Sequence, residues 1–214
     1  MISHMVVYWH PSTEACNKQI QSQCSYSELV LYFVALHYET KLKDMAKNVN
    51  TATEPKIDYQ SEKIYVGIRI QTPFSGMFKQ IEKIRKELES WCKENGVEAA
   101  EPPFLRYHCI DMKGEMDLEY GIPVNDLREN EGRIKAAFLP AGRYVSIIYT
   151  GGGYQGNKTL VEWMKINDIP IDRWDSEKGD NFAARYEQYL TDPKVEHRKT
   201  KWEILLAFKL KDAT

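Results

Sequence analysis

The chain of 214 residues is long enough for one large domain or two small ones, and its 43% hydrophobic and 28% charged residues are typical of a globular protein. A formal net charge of −2, with both signs mixed along the chain, does not favour nucleic acid or an acidic membrane as a partner. The chain shows no signal-peptide pattern and its longest apolar run, 29–36, is too short to span a bilayer, so we expect a cytoplasmic protein.

Residues 1–54 differ in composition from the rest of the chain. The segment 26–43 predicts a single helix, and residues 47–54 resemble a linker. We interpret 1–54 as an N-terminal extension, either one helix or poorly ordered, with Met45 as a natural start for the compact part; a partner-binding helix is the alternative. A DNA-reading helix-turn-helix would need two helices and a basic cluster, which this segment lacks.

From residue 55 onward the pattern predicts a domain that extends to residue 214. Strands are expected at 56–59 and 63–70, a helix from an N-cap at Ser75 to Glu94, and strands at 104–110 and 117–124. The helix has one apolar stripe, and Asn95-Gly96 is typical of a helix stop. The stripe consists of Phe78, Ile81, Ile84, Leu88, Trp91 and Cys92.

The second half of the domain repeats this order of elements. Strands at 133–138 and 143–149, a helix at 157–167, a polar insertion at 168–180, and strands at 185–190 and 201–209 follow one another. The motif at 65–68 matches that at 144–147, Phe104 and Tyr107 match Tyr186 and Tyr189, and Glu119 matches Glu203. The sequence therefore predicts an α+β fold made of two strand–helix–strand–strand units.

Three motifs of the second half resemble the GyrI-like family, which includes the effector-binding domains of AraC-type regulators and the ligand-binding domains of MerR-type multidrug sensors. These motifs are Leu-Pro-Ala-Gly-Arg-Tyr at 139–144, Tyr-Glu-Gln-Tyr-Leu-Thr-Asp-Pro at 186–193, and a last strand with an acid among apolar residues at 202–206. The resemblance covers about three quarters of the chain. It implies a pseudo-twofold, concave antiparallel sheet with helices packed on it and a central pocket for hydrophobic, often cationic, molecules.

Two acids are candidates for the ligand site. Glu203 stands between Trp202 and Ile204 in an otherwise almost wholly apolar strand, where a desolvated carboxylate would need donors or a cationic ligand. The alternative is that Glu203 lies on a solvated face or bonds a buried tyrosine or arginine. The resemblance, which implies a ligand-reading acid on this strand, favours Glu203, and the repeat suggests Glu119 as its counterpart.

Aromatic side chains could line the pocket, where they would supply apolar area, stacking and cation–π attraction, although ordinary core packing would also explain them. The candidates are Tyr107, Tyr149, Tyr154, Trp174, Tyr186 and Tyr189. The scattered histidines have no metal-ligand spacing, and Gly151-Gly152-Gly153 lacks a phosphate-loop pattern and fits a tight strand-to-helix turn. We therefore expect neither a metal nor a cofactor.

The leading functional hypothesis is binding of a hydrophobic or cationic small molecule, with Glu203 as charge partner. One alternative is a cofactor-free hydrolase, of the branch that acts on cyclopropane-bearing natural products, with Glu203 as general base and a tyrosine hydroxyl, Tyr149, stabilising the developing anion. A second alternative is a gyrase-inhibitor-like module that contacts a protein partner, although the chain lacks the exposed acidic run this would favour.

Overall fold

The computed structural model describes residues 52–212, so the helix predicted at 26–43 lies outside the described residues. The described part consists of an antiparallel sheet of ten strands and two α-helices. They are β1 (Lys56–Gln60), β2 (Lys63–Pro73), α1 (Met77–Glu94), β3 (Phe104–Ile110), β4 (Glu115–Pro123), β5 (Ile134–Leu139), β6 (Gly142–Thr150), α2 (Gly153–Ile166), β7 (Arg173–Ser176), β8 (Gly179–Phe182), β9 (Arg185–Tyr189) and β10 (Glu203–Lys209).

The sheet curls into a half-barrel with the strand order β1-β6-β10-β9-β3-β4-β2-β5. The segment predicted as a polar insertion forms the β7–β8 hairpin, which joins the sheet through β8 and β3. The two repeats meet where β3 pairs with β9, and Leu105 lies opposite Glu187 in the middle of that contact. Since these two residues occupy equivalent places in the two repeats, the pseudo-twofold axis passes between them. The predicted α+β fold with two related units is confirmed.

Each repeat gives its leading strand to the other repeat. β1 precedes β2 in the chain but pairs with β6, whereas β5 precedes β6 but pairs with β2. The chain is also held to β6 just before β1, because Thr53 donates a backbone hydrogen bond to the Ile148 carbonyl at 2.8 Å. The two edges of the sheet are thus the two exchanged strands.

The registers correct one match made from the sequence. Tyr65 and Tyr144 lie at equivalent places, opposite Pro123 and Lys209 respectively. Pro123 and Lys209 are therefore equivalent, and six residues before them stand Asp117 and Glu203 respectively, so the counterpart of Glu203 is Asp117 and not Glu119. The sequence comparison matched two glutamates by residue type, but hydrogen-bonded register decides which residues are equivalent, and the counterpart of Glu119 is an apolar leucine on β10.

Both helices pack on the same face of the sheet, which we call the helix face. In α1 the positions Ile81, Ile84, Leu88 and Cys92 are buried as the apolar stripe predicts, but Phe78 is 71% exposed. The helix begins after Gly76, whose φ of 86° is left-handed, and no side chain caps it, so the predicted N-cap at Ser75 is wrong.

The opposite face of the sheet is filled by a row of aromatic rings. Tyr65 contacts Phe104 across β4, and Tyr186 contacts Tyr144 across β10, with ring centroids 4.9 and 6.0 Å apart. The intervening strand must carry a small residue here: a Cβ at Gly121 would lie 2.5 Å from the Phe104 ring. These rings form a buried cluster on the face away from the helices.

Candidate functional site

The centre of the helix face holds a buried acid, Glu187 on β9. Glu187 lies beside the pseudo-twofold axis, and the equivalent residue of the other repeat is Leu105. Only one repeat therefore carries a charge at this position. Glu187 is 9% exposed. A carboxylate at such a place is costly unless donors surround it.

Three side chains donate hydrogen bonds to Glu187. The Tyr107 hydroxyl lies 3.0 Å from Oε2, and the Tyr149 hydroxyl and Asn157 Nδ2 lie 3.2 and 3.1 Å from Oε1. Burial, and then the nearby Glu187 carboxylate, raise the pKa of both tyrosines above the ordinary value. The tyrosines therefore remain protonated donors, and the carboxylate is stabilised without a cation in direct contact.

Helix α2 closes over this acid because its first turn is built from small residues. Gly151 has a φ of 90° and ends β6 abruptly, as the predicted strand-to-helix turn requires. A Cβ on Gly156 would lie 2.4 Å from the Tyr149 ring. The glycine thus lets α2 approach the sheet closely enough for Asn157 to reach Glu187, while the same amide also donates to Gly153 O one turn earlier in the helix.

The chain places its own cation beside the acid. The Arg185 guanidinium lies over the rings of Tyr107, Phe182 and Phe208, 4.8–5.2 Å from their centroids. Arg185 Nη2 donates to Asn157 Oδ1 at 2.6 Å, and the same amide donates to Glu187. The acid and the base are therefore linked through one asparagine rather than by a direct ion pair.

Beyond Arg185 the helix face opens into a cavity of about 580 Å³. Its walls come from the second half of α2, the 168–173 loop, β8 and the end of β10. The lining residues are Val161, Met164, Lys165, Asp168, Ile169, Pro170, Ile171, Arg173, Asp180, Phe182, Arg185 and Phe208. Arg185 lines this cavity and is also linked through Asn157 to Glu187. The space is large enough for a small organic molecule.

Three of the predicted pocket residues gather at the buried acid. Tyr107 and Tyr149 bond Glu187 directly, and the nearby carboxylate adds to burial in raising the pKa of Tyr189. Two others are exposed at the surface, Tyr154 by 76% and Trp174 by 53%.

The expectation that Glu203 is desolvated is wrong. It is exposed at the first position of β10, where its backbone N–H donates a hydrogen bond to the Thr191 hydroxyl oxygen at 2.8 Å. Alternation along β10 places Glu203 on the opposite side from Ile204, which pairs with Tyr149, so Glu203 and Tyr149 point to different faces. An apolar neighbourhood in sequence did not imply burial, because the acid stands at the strand end. A role of Glu203 in ligand binding stays a prediction.

Glu119 and Tyr186 lie on the face away from the helices. The Tyr65 hydroxyl donates to Glu119 at 2.8 Å, and His108 Nε2 lies 2.7 Å from the same oxygen. Burial acts to raise the pKa of Glu119, but the hydrogen bonds with His108 and Tyr65 outweigh it, and the pKa is lowered. Glu119 thus has hydrogen-bond partners within the chain, and its role in ligand binding stays a prediction.

The sequence reasoning missed both Glu187 and Arg185. Glu187 was visible only as part of the motif at 186–193. Two signals could have found it: alternation puts it on the face opposite to the side chains of Tyr186 and Gln188, and the repeat alignment puts an acid where the first half has Leu105.

Comparison with known proteins identifies the fold. No family model and no curated protein matches the chain. The crystal structure of the EcmrR C-terminal domain is similar, with 23% identity, 75% of this chain and 98% of that chain covered, and a TM-score of 0.57. EcmrR in a DNA complex matches with 20% identity over 92% of this chain and 75% of that chain, with a TM-score of 0.58. A hydrolase from Listeria innocua matches with 12% identity, 79% and 98% coverage and a TM-score of 0.52.

These structures share the fold of the described residues, which is consistent with the resemblance that the motifs of the second half indicated. At such identities the likeness concerns the fold and does not assign a ligand or a reaction. Neither helix between residues 52 and 212 is long and apolar enough to cross a membrane.

Proposed function

We propose that the GyrI-like domain binds a hydrophobic small molecule on its helix face, in the cavity beside α2 that Arg185 lines. The observation that carries this proposal is a cavity of about 580 Å³ lined by Arg185, which Asn157 links by hydrogen bonds to the buried acid on the pseudo-twofold axis. Its walls are mainly apolar, with a few polar groups that could fix an orientation, as is typical of small-molecule sites.

The proposal moves the acid of the site from Glu203 to Glu187. Glu187 has the properties expected of the site acid: it is buried, it lies among tyrosines, and it stands on the axis that relates the repeats. The hydrolase alternative loses the pairing on which it relied, because Glu203 and Tyr149 face opposite sides of the sheet. We therefore favour binding over catalysis.

A test is a panel of neutral, cationic and anionic aromatic dyes, with binding measured by thermal shift and by fluorescence titration. A ligand at 100 times its Kd should stabilise the protein by about 2.7 kcal/mol. Val161→Trp should fill the cavity and abolish this shift, because Val161 lies on its α2 wall.

The matched control is Ile166→Trp, which adds the same side chain on α2 at a position that is 80% exposed and outside the cavity. It should leave binding unchanged. The proposal is wrong if no member of the panel binds the protein, or if Val161→Trp and Ile166→Trp bind the panel equally well.

A further inference from the structure

The lining of the cavity carries a guanidinium, that of Arg185, which forms no direct ion pair with the described residues although the Glu187 carboxylate acts on it from nearby. In the described residues Arg185 donates a single hydrogen bond, from Nη2 to the Asn157 amide oxygen, and forms no ion pair. Its Nε is buried without an acceptor. A charge removed from water in this way gains substantially from an anion that reaches it.

The other charges around the cavity lie further out. Lys165 and Arg173 are exposed, and so is Asp168. Asp180, which is partly exposed, lies 3.5 Å from Arg173 and is therefore shared with that base. The lining thus has three bases and two acids, with Glu187 as a third acid that acts on Arg185 from outside the lining, and Arg185 is the least exposed of the bases.

Aromatic rings hold the Arg185 guanidinium in place, although burial lowers its pKa from the ordinary value. Phe182 and Phe208 present their rings to the guanidinium, and they also contact each other edge to face with centroids 6.1 Å apart. Cation–π contacts of this kind offset part of the cost of burying the charge. The planar fork is therefore fixed in orientation, as an Arg that recognises a carboxylate requires.

We infer that the cavity takes an apolar molecule that carries a carboxylate or a similar anionic group, with the anion paired to Arg185 and the apolar part against α2. This inference rests on the proposed function and specifies the ligand class of that site. A cation of the same shape would be repelled by the three bases of the lining. Arg185 therefore opposes the preference for cations that the buried Glu187 alone would give.

Three ligands that share one aromatic body test the inference: 2-naphthylacetate, its neutral amide and 2-naphthylethylammonium. Binding to the full chain would be measured by calorimetry at one pH and one ionic strength. We expect the acetate to bind about tenfold tighter than the amide, as a charge-assisted hydrogen bond provides, and the ammonium to bind most weakly.

Two variants assign the preference to Arg185. Arg185→Met keeps a side chain of similar length against the rings, and should bind acetate and amide with affinities within about twofold of each other. Arg173→Met removes another base of the same lining and should keep the preference for acetate, because that base is already paired. Arg185→Lys retains the charge without the fork and serves as the second variant if Arg185→Met does not fold.

Each outcome decides a different point. Equal affinities for the three ligands in the wild type, or tightest binding of the ammonium, overturn the inference and leave the proposed function standing, because the cavity still binds. An acetate preference that survives Arg185→Met, or is lost with Arg173→Met alone, also overturns it. If none of the three ligands binds, the inference is wrong, and the dye panel decides whether the proposed function fails with it.

Discussion

The closeness of α2 to the sheet leads to a sharp prediction for Gly156→Ala. A Cβ at this position would lie 2.4, 2.5 and 2.7 Å from three ring carbons of Tyr149. Tyr149 is 2% exposed and bonds Glu187 at 3.2 Å, so the ring cannot yield without losing that bond. The substitution must therefore push α2 outward or displace the tyrosine.

Two opposing effects set the magnitude. Alanine is better than glycine inside a helix by up to about 1 kcal/mol. Overpacking of a well-packed site costs about 1–3 kcal/mol, and a strained hydrogen bond to a charged group adds roughly 1 kcal/mol. We expect Gly156→Ala to lower the free energy of unfolding by about 1–3 kcal/mol, a drop in Tm of roughly 2–12 °C for a domain of this size.

Urea denaturation followed by circular dichroism measures this change, with an unaltered m-value showing that the unfolding transition is the same. Gly152→Ala is the control, since a Cβ there would meet nothing within 4 Å and its φ of −77° suits any residue. It should change the stability by less than about 0.5 kcal/mol. A Gly156→Ala protein as stable as the wild type would refute the close packing of α2 on Tyr149.

Three further predictions concern the acids and the domain boundary. Glu187→Gln should lower the free energy of unfolding by about 1–3 kcal/mol in chemical denaturation, because three donors lose their carboxylate acceptor. Glu203→Gln, at an exposed position, should change it by less than about 0.5 kcal/mol. Equal effects of the two substitutions would contradict the placement of the two acids. The folded-state pKa of Glu119 lies below its ordinary 4.5, so its contribution to stability is full above pH 4.5 and is lost as the pH falls through the folded-state pKa. Glu119→Gln should therefore make the loss of stability at acidic pH less steep. A pH profile of stability identical to that of the wild type would contradict this role of Glu119. A chain shortened to begin at Met45 should keep one cooperative melting transition, and its loss would show that the preceding residues belong to the core.

The strands and helices were largely accessible from the sequence, because periodicity and turn residues act locally. The strand predicted at 104–110 and the helix end at Asn95 agree with the structure. The start of α2 was predicted four residues late, at 157 instead of 153, because its first turn contains glycines that weaken the helical signal.

The site was less accessible, since it depends on register and on which face each strand turns inward. Glu119 was matched with Glu203 by residue type, but the strand register shows that this match is displaced by two residues. Alternation cannot reveal such an error, because residues two apart in a strand lie on the same face. Burial of Glu203 was inferred from its apolar neighbours, but a strand end is open to solvent. Arg185 carried no local signal at all, because its partners come from α2, β3, β8 and β10.

The exchange of β1 and β5 bears on how such a domain could have arisen. A single repeat, standing alone, would present the edge of its second strand without a partner and would hold a leading strand with nowhere to pair within itself. Two copies of that repeat would satisfy each other by trading these strands, as a swapped homodimer does. A duplicated and fused gene would inherit the same contacts inside one chain. Severing the connection between β4 and β5 should then yield two fragments that reassociate when mixed, since each holds the strand that the other lacks.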